Sequence, residues 1–279
     1  MRSVRSKVLG SLVLAIGILG ISPTWPGAAA RADQFEDARH LAEQDDWEGA
    51  FHLLEPLAEQ GDARAQEMLG GFYDSGQGVA EDAAEAAQWY QKAVEQGRGW
   101  AAYRLALLYR DGRGVTRDDA RAVQLLNFSA EHGEDKAQTM LGRFYEHGDA
   151  GLDRDPARAA GYYEVAAKAG NPEAQALLGT LYAKGNGVGK NVQTAMDWWL
   201  RAAKQGNVDA QNIYAGFKAN GAAGATDFAA AYFWWSIAAK QNFPKAAEYR
   251  DLSAGKLTPE KRAQLDLEIE GWKPLPEQQ

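Results

Sequence analysis

The sequence predicts an all-α fold, a solenoid of tandem helix-turn-helix units, and three observations carry that expectation. A block of about 36 residues recurs five times, its boundaries marked by Gly61, Gly97, Gly133, Gly170, Gly206 and, in the sixth place, Asn242. Each block holds two apolar patterns at helical spacing, separated by a glycine loop. Small residues in one helix face large ones in the other at fixed slots, which lets two helices approach closely. In a fold of this period each unit buries its apolar face against its neighbours. It offers an extended surface and seldom builds one deep reactive pocket.

Residues 1–32 read as a secretory signal. Arg2, Arg5 and Lys7 form a basic start, residues 8–21 a mostly apolar run, and Pro23 and Pro26 break it. Ala30, Arg31 and Ala32 then offer a cleavage site before Asp33. A run of 14 residues falls short of the roughly 20 that span a bilayer, so cleavage is expected and no membrane span after it. With no cysteine in the chain, a lipid-modified N-terminus and a disulfide framework are both excluded. Cleavage would remove four basic residues and no acidic one, taking the formal net charge from −8 to −12. Such a surface repels phosphate backbones, so neither nucleic acid nor charge-driven binding to anionic lipid is expected.

Residues 33–61 fit a degenerate leading helical pair. Phe35, Ala38 and Leu41 mark one helix, Asp45 and Asp46 a tight turn, and Ala50, Leu53 and Leu54 a second helix that Pro56 should kink or end early. Five repeats follow, at 62–97, 98–133, 134–170, 171–206 and 207–242. In the first, Ala65, Leu69, Phe72 and Tyr73 share one helical face, and Gly76 and Gly78 supply a loop with positive φ. Asp82 sits at an N-cap, Ala86, Trp89, Tyr90 and Ala93 carry the buried face of the second helix, and Gly97 ends it.

The slots recur down the chain. The small residue is Ala65, Ala101, Ala137, Ala174 and Ala210; the second-helix pairs are Trp89-Tyr90, Leu125-Leu126, Tyr162-Tyr163, Trp198-Trp199 and Trp234-Trp235. One member of each pair should pack on its own first helix and the other on the next repeat. Residues 243–272 read as C-terminal capping helices, the last opened by Thr258-Pro259 and made apolar by Leu265, Ile269 and Trp272. Pro274 and Pro276 should end order, leaving 273–279 a disordered tail.

The strings AQEMLGGFYDSGQGVAEDAAEAAQWYQKAVEQG and AQALLGTLYAKGNGVGKNVQTAMDWWLRAAKQG resemble Sel1-like repeats, relatives of the tetratricopeptide repeat. The resemblance covers residues 62–242 and implies a right-handed α-solenoid whose first helices line a concave side. It departs from the pattern in an extra loop residue in the third copy, the leucine pair in the second, and Lys218 for tyrosine in the fifth. It also implies roles in protein interaction: some periplasmic members restrain a sensor kinase, and others assemble secretion complexes.

Four features imitate chemistry. The stretch 185–191 lacks the first glycine and the hydroxyl residue of a phosphate loop, since Lys184 and Asn191 stand there, so it reads as a helix-connecting turn. Ser253-Ala254-Gly255-Lys256 matches the S-x-x-K of serine β-lactamases, but no partner motif accompanies it and it should lie in a short loop. His40, His52, His132 and His147 show no metal-ligand spacing, so no metal and no cofactor are expected. Most of the nine Trp and eleven Tyr fall in the repeated pairs and read as core.

Three first-helix slots should face the groove. They are Arg64, Trp100, Lys136, Glu173 and Asp209; Glu67, Tyr103, Thr139, Ala176 and Asn212; and Gly71, Leu107, Arg143, Thr180 and Gly216. Only the second repeat is apolar in all three. Trp100, Tyr103 and Leu107 form one stripe of binding-prone side chains, with Arg110 and Arg143 near enough to receive a carboxylate. The expectation is a non-enzymatic periplasmic scaffold or regulator of envelope signalling or exopolysaccharide machinery that binds a protein partner there. Two rivals are a β-lactam-binding or hydrolysing enzyme and a secreted effector or adhesin that binds a host protein or glycan.

Overall fold

In the computed structural model, residues 26–275 are described, with side chains from residue 34 onward. Most of the expected signal, residues 1–25, lies outside the described residues. Among these residues are fourteen helices and no strand. A leading pair, α1 (Pro26–Glu43) and α2 (Trp47–Glu59), precedes five hairpins: α3 (Ala63–Ser75) with α4 (Ala83–Glu95), α5 (Gly99–Asp111) with α6 (Asp119–Glu131), α7 (Asp135–His147) with α8 (Pro156–Lys168), α9 (Pro172–Lys184) with α10 (Val192–Lys204), and α11 (Val208–Asn220) with α12 (Phe228–Lys240). Then come α13 (Ala246–Ala254) and α14 (Pro259–Gly271). No helix is long and apolar enough to cross a membrane among the described residues. Because α1 starts at Pro26, the expected cleavage point after Ala32 falls inside a helix.

The uniform length of the hairpin helices, 13 residues each, follows from their ends. First helices stop at a left-handed glycine, as at Gly76 (φ 69°), and second helices start on an acidic or amide cap. Asp82 accepts from the N–H of Ala84 and Glu85; Asn191 accepts from Thr194. All six boundary positions lie at positive φ, from 98° at Gly170 to 59° at Asn242. Two periodic signals, a cap and a glycine, thus set both helix lengths and the turn between units.

Packing runs almost wholly between helices adjacent in sequence, each second helix also meeting the first helix of the next unit. The second member of every pair is buried (Tyr90, Leu126, Tyr163, Trp199 and Trp235), and in the second and fifth repeats the first member, Leu125 or Trp234, is buried as well. Where the first helix offers glycine, the ring lies flush on it. A Cβ added to Gly70 would stand 2.7 Å from Tyr90, one at Gly142 2.5 Å from Tyr163, and one at Gly179 2.8 Å from Trp199. Ala106 faces Leu126 instead, so the leucine departure of the second copy is one half of a matched exchange. The first member of the pair turns to the preceding repeat rather than the next one. Trp89 joins the core of the leading pair, and Tyr162 donates its hydroxyl to Asn127 Oδ1 at 3.2 Å.

Two further expectations need correction. Pro56 does not end α2, because Leu57 and Ala58 beyond it are anchored in the core and the helix continues to Glu59. Leu265 and Ile269 seat α14 on Tyr232 and Ile237 of α12, so this helix covers the fifth repeat. Residues 273–275 are ordered: Trp272 packs edge-on to Trp234 with centroids 6.1 Å apart, Pro274 covers Gly206, and Leu275 N–H donates to Lys204 C=O at 2.9 Å. Residues 272–275 therefore run back over the junction of repeats four and five.

Candidate partner-binding groove

The first helices α5, α7 and α9 lie side by side, and an open cavity of 790 Å³ spans them. Its lining includes Tyr103 and Arg110 from α5, Lys136, Thr139, Met140 and Arg143 from α7, and Glu173 from α9. Of the expected stripe, Tyr103, Arg110 and Arg143 therefore meet at one site. Trp100 stands behind Tyr103, ring centroids 5.3 Å apart, with Lys136 Nζ 4.8 Å above its face. Leu107 is half-buried and does not line the cavity.

Both arginines already hold carboxylates. Arg110 grips Asp111 through Nε and Nη2 at 2.7 and 2.8 Å, while its Nη1 faces Met140 Sδ at 3.7 Å. That paired hydrogen bonding keeps the Asp111 carboxyl below its ordinary value and the guanidinium above its own. Arg143 Nη2 donates to Glu173 Oε1 at 2.5 Å, an ion pair that bridges consecutive first helices. Half-burial lifts the Tyr103 phenol above its usual range. The site thus presents an aromatic wall with cations whose present partners are surface carboxylates, and a ligand acid can replace or share them.

The slot of Glu67, Tyr103, Thr139, Ala176 and Asn212 closes inward more than the sequence predicts. Thr139 and Ala176 are buried, and Asn212 Oδ1 accepts from Trp235 Nε1 at 3.0 Å. Glu67 turns to the next unit, where it binds Arg98 and accepts from Ala101 N–H at 3.0 Å. Arg98, at the N-cap of α5, makes no side-chain cap bond, so a residue of the preceding repeat caps that helix instead. The signal was available: Arg98 stands where Asp62, Asn171 and Asn207 cap their own helices.

Sequence reasoning also missed a second cavity on the same face. It has 640 Å³ and lies between α11 and α13, against Ile213, Phe217, Trp235, Tyr249 and Leu252. Ser253 and Lys256 both line it, but Ser253 is buried in the last turn of α13 rather than in a loop. The remaining motifs stay structural. Gly187 packs so tightly on Pro156 that a Cβ would meet its carbonyl at 2.2 Å, and Asn191 caps α10. His132 is the C-cap of α6 and stacks on Phe128 at 4.1 Å. Among the described residues no group of three His, Cys, Asp or Glu converges as for a metal ion.

The Sel1 repeat profile matches residues 63–97, 101–134, 135–171, 172–207 and 208–243. The structure is similar to that of a protective antigen of uropathogenic Escherichia coli displaying an SLR fold, at 28% identity and a TM-score of 0.70. That match covers 86% of this chain and 52% of the antigen, so the chain spans about half the antigen's length. A Sel1 repeat protein from Oxalobacter formigenes is 32% identical with a TM-score of 0.68, over 77% of this chain and 88% of the other. An immunity protein of Pseudomonas aeruginosa, 22% identical with a TM-score of 0.50 over 81% of this chain and 89% of its own, shares the fold alone. No curated protein sequence matches the chain. The Sel1-repeat fold commonly mediates protein–protein interaction. With five matched repeats covering more than half of its residues, the chain belongs to the Sel1 repeat family.

Proposed function

We propose that this chain is a non-enzymatic scaffold or regulator that holds a partner protein on the face built by its first helices. Its place of work is the bacterial periplasm, in envelope signalling or exopolysaccharide machinery. One observation carries the reading: Tyr103, Arg110 and Arg143, from two different repeats, line a single open cavity. Tyrosine, tryptophan and arginine are the side chains that most often anchor protein interfaces. The basic N-terminal segment and the apolar run after it support the address.

The test is affinity capture from envelope extracts with the wild type and a Trp100→Ala/Tyr103→Ala variant. A protein retained by the wild type and lost by a variant of unchanged melting temperature supports the reading. Equal retention by both overturns the site. N-terminal sequencing of the chain from the periplasmic fraction checks the address, which an intact Met1 would sink.

A further inference from the structure

The cavity between α11 and α13 differs in kind from the one around Tyr103. Its walls are Ile213, Phe217, Trp235, Tyr249 and Leu252, and Leu252 is 64% exposed, with none of the described residues covering it. A single charged residue lines it, Lys256, whose ammonium makes no ion pair among the described residues. No acid lines it, in a chain whose acidic residues outnumber basic ones 38 to 30. The volume, 640 Å³, falls within the roughly 300–1,000 Å³ of small-molecule sites, which are likewise mostly apolar with a few placed polar groups.

Two local features open this space. Gly216 occupies the slot filled by Leu107, Arg143 and Thr180 in other repeats, so the floor lacks a side chain. A Cβ there would approach Trp235 no closer than 4.0 Å. The second is the bond from Trp235 Nε1 to Asn212 Oδ1, which satisfies the indole and turns the amide so that its NH₂ remains as a donor. The cavity therefore offers a long apolar wall, one cation and a neutral donor.

We infer that this is a binding site for a single apolar chain that ends in a carboxylate, the chemistry of a fatty acid. The chain lies along Ile213, Phe217 and Leu252, and the carboxylate meets Lys256. Burial of the apolar chain supplies the affinity, and the lysine supplies the choice of head group. The site is separate from the partner groove and does not depend on it.

Calorimetric titration of the full chain with dodecanoate, below its micelle concentration, tests the inference. Dodecyltrimethylammonium, with the same tail and the opposite charge, serves as control. One dodecanoate per chain is expected, bound at least tenfold more tightly than the cationic amphiphile. Gly216→Leu fills the floor with a residue the same slot carries in repeat two, so it should abolish binding without lowering the melting temperature. Leu252→Asp, at an exposed position, should do the same should the first variant prove unstable, and Lys256→Gln should erase the preference for the carboxylate. No binding of dodecanoate, equal binding of both amphiphiles, or undiminished binding by folded Gly216→Leu and Leu252→Asp proteins would each overturn the assignment.

Discussion

Gln138 donates its side-chain amide to Ala130 C=O at 3.3 Å, yet its Oε1 is buried without a partner because Ala169 occupies the place of a glutamine. Elsewhere the same slots form a ladder. Gln96 donates to Gln66 at 2.7 Å, Gln205 to Gln175 at 2.9 Å and Gln241 to Gln211 at 2.8 Å, each acceptor also bonded back to the preceding second helix. Ala169→Gln should complete the missing rung. One buried hydrogen bond is worth about 1 kcal/mol, and a rise of roughly 2–4 °C in melting temperature is expected by calorimetry.

Gly142 and Tyr163 make a steric pair, a ring flush on a helix without a side chain. Gly142→Ala should cost about 1–3 kcal/mol by overpacking, despite the gain in helix propensity. In a Tyr163→Leu background the same change should cost much less, because Ala106 and Leu126 already occupy those two slots together. A double-mutant cycle in urea measures the difference; simple additivity would contradict it.

Asp74 ties the first repeat to the second. Its side chain, 2% exposed, takes an ion pair from Arg104 and another from Arg113 Nη1 at 3.0 Å. Asp74→Ala leaves two guanidiniums without their shared acceptor and should destabilise the chain by about 2 kcal/mol. Hydrogen exchange should show the loss concentrated in α3 and α5.

Alkaline pH should loosen the fold through its buried phenols. Burial, and for Tyr163 its hydroxyl bond to Glu146 at 2.9 Å, raise Tyr90 and Tyr163 well above the ordinary value of 10. The fold favours the neutral phenol, so this contribution is complete below pH 10 and is lost as pH climbs toward the folded-state values. Melting temperature should hold to about pH 9 and then fall, and Tyr163→Phe should fall less steeply.

Much of this architecture is legible in the residues. The recurring glycine fixes each unit's end, Asp82 and its counterparts start the second helices, and alanine against an aromatic pair gives the core. The glutamine ladder was equally visible at positions 66, 138, 175 and 211, but glutamine reads as a surface residue until its partners are seen. Other features escape because they are relations between distant segments. The return of Leu275 to Lys204 joins two stretches far apart in the chain, and periodicity sees only that prolines follow the last helix. At the groove, residue type gave Tyr103, Arg110 and Arg143, while the inward turn of Glu67 follows from an uncapped helix one repeat away.

The returning segment at Trp272 and Leu275 limits how such an array can grow. It is fastened to repeat five by Trp234 and to repeat four by Lys204 and Gly206. Extra units can enter upstream of repeat four and leave that clasp untouched. A copy added after Asn242 would strand the closing segment away from its anchor, so lengthening by duplication is directional.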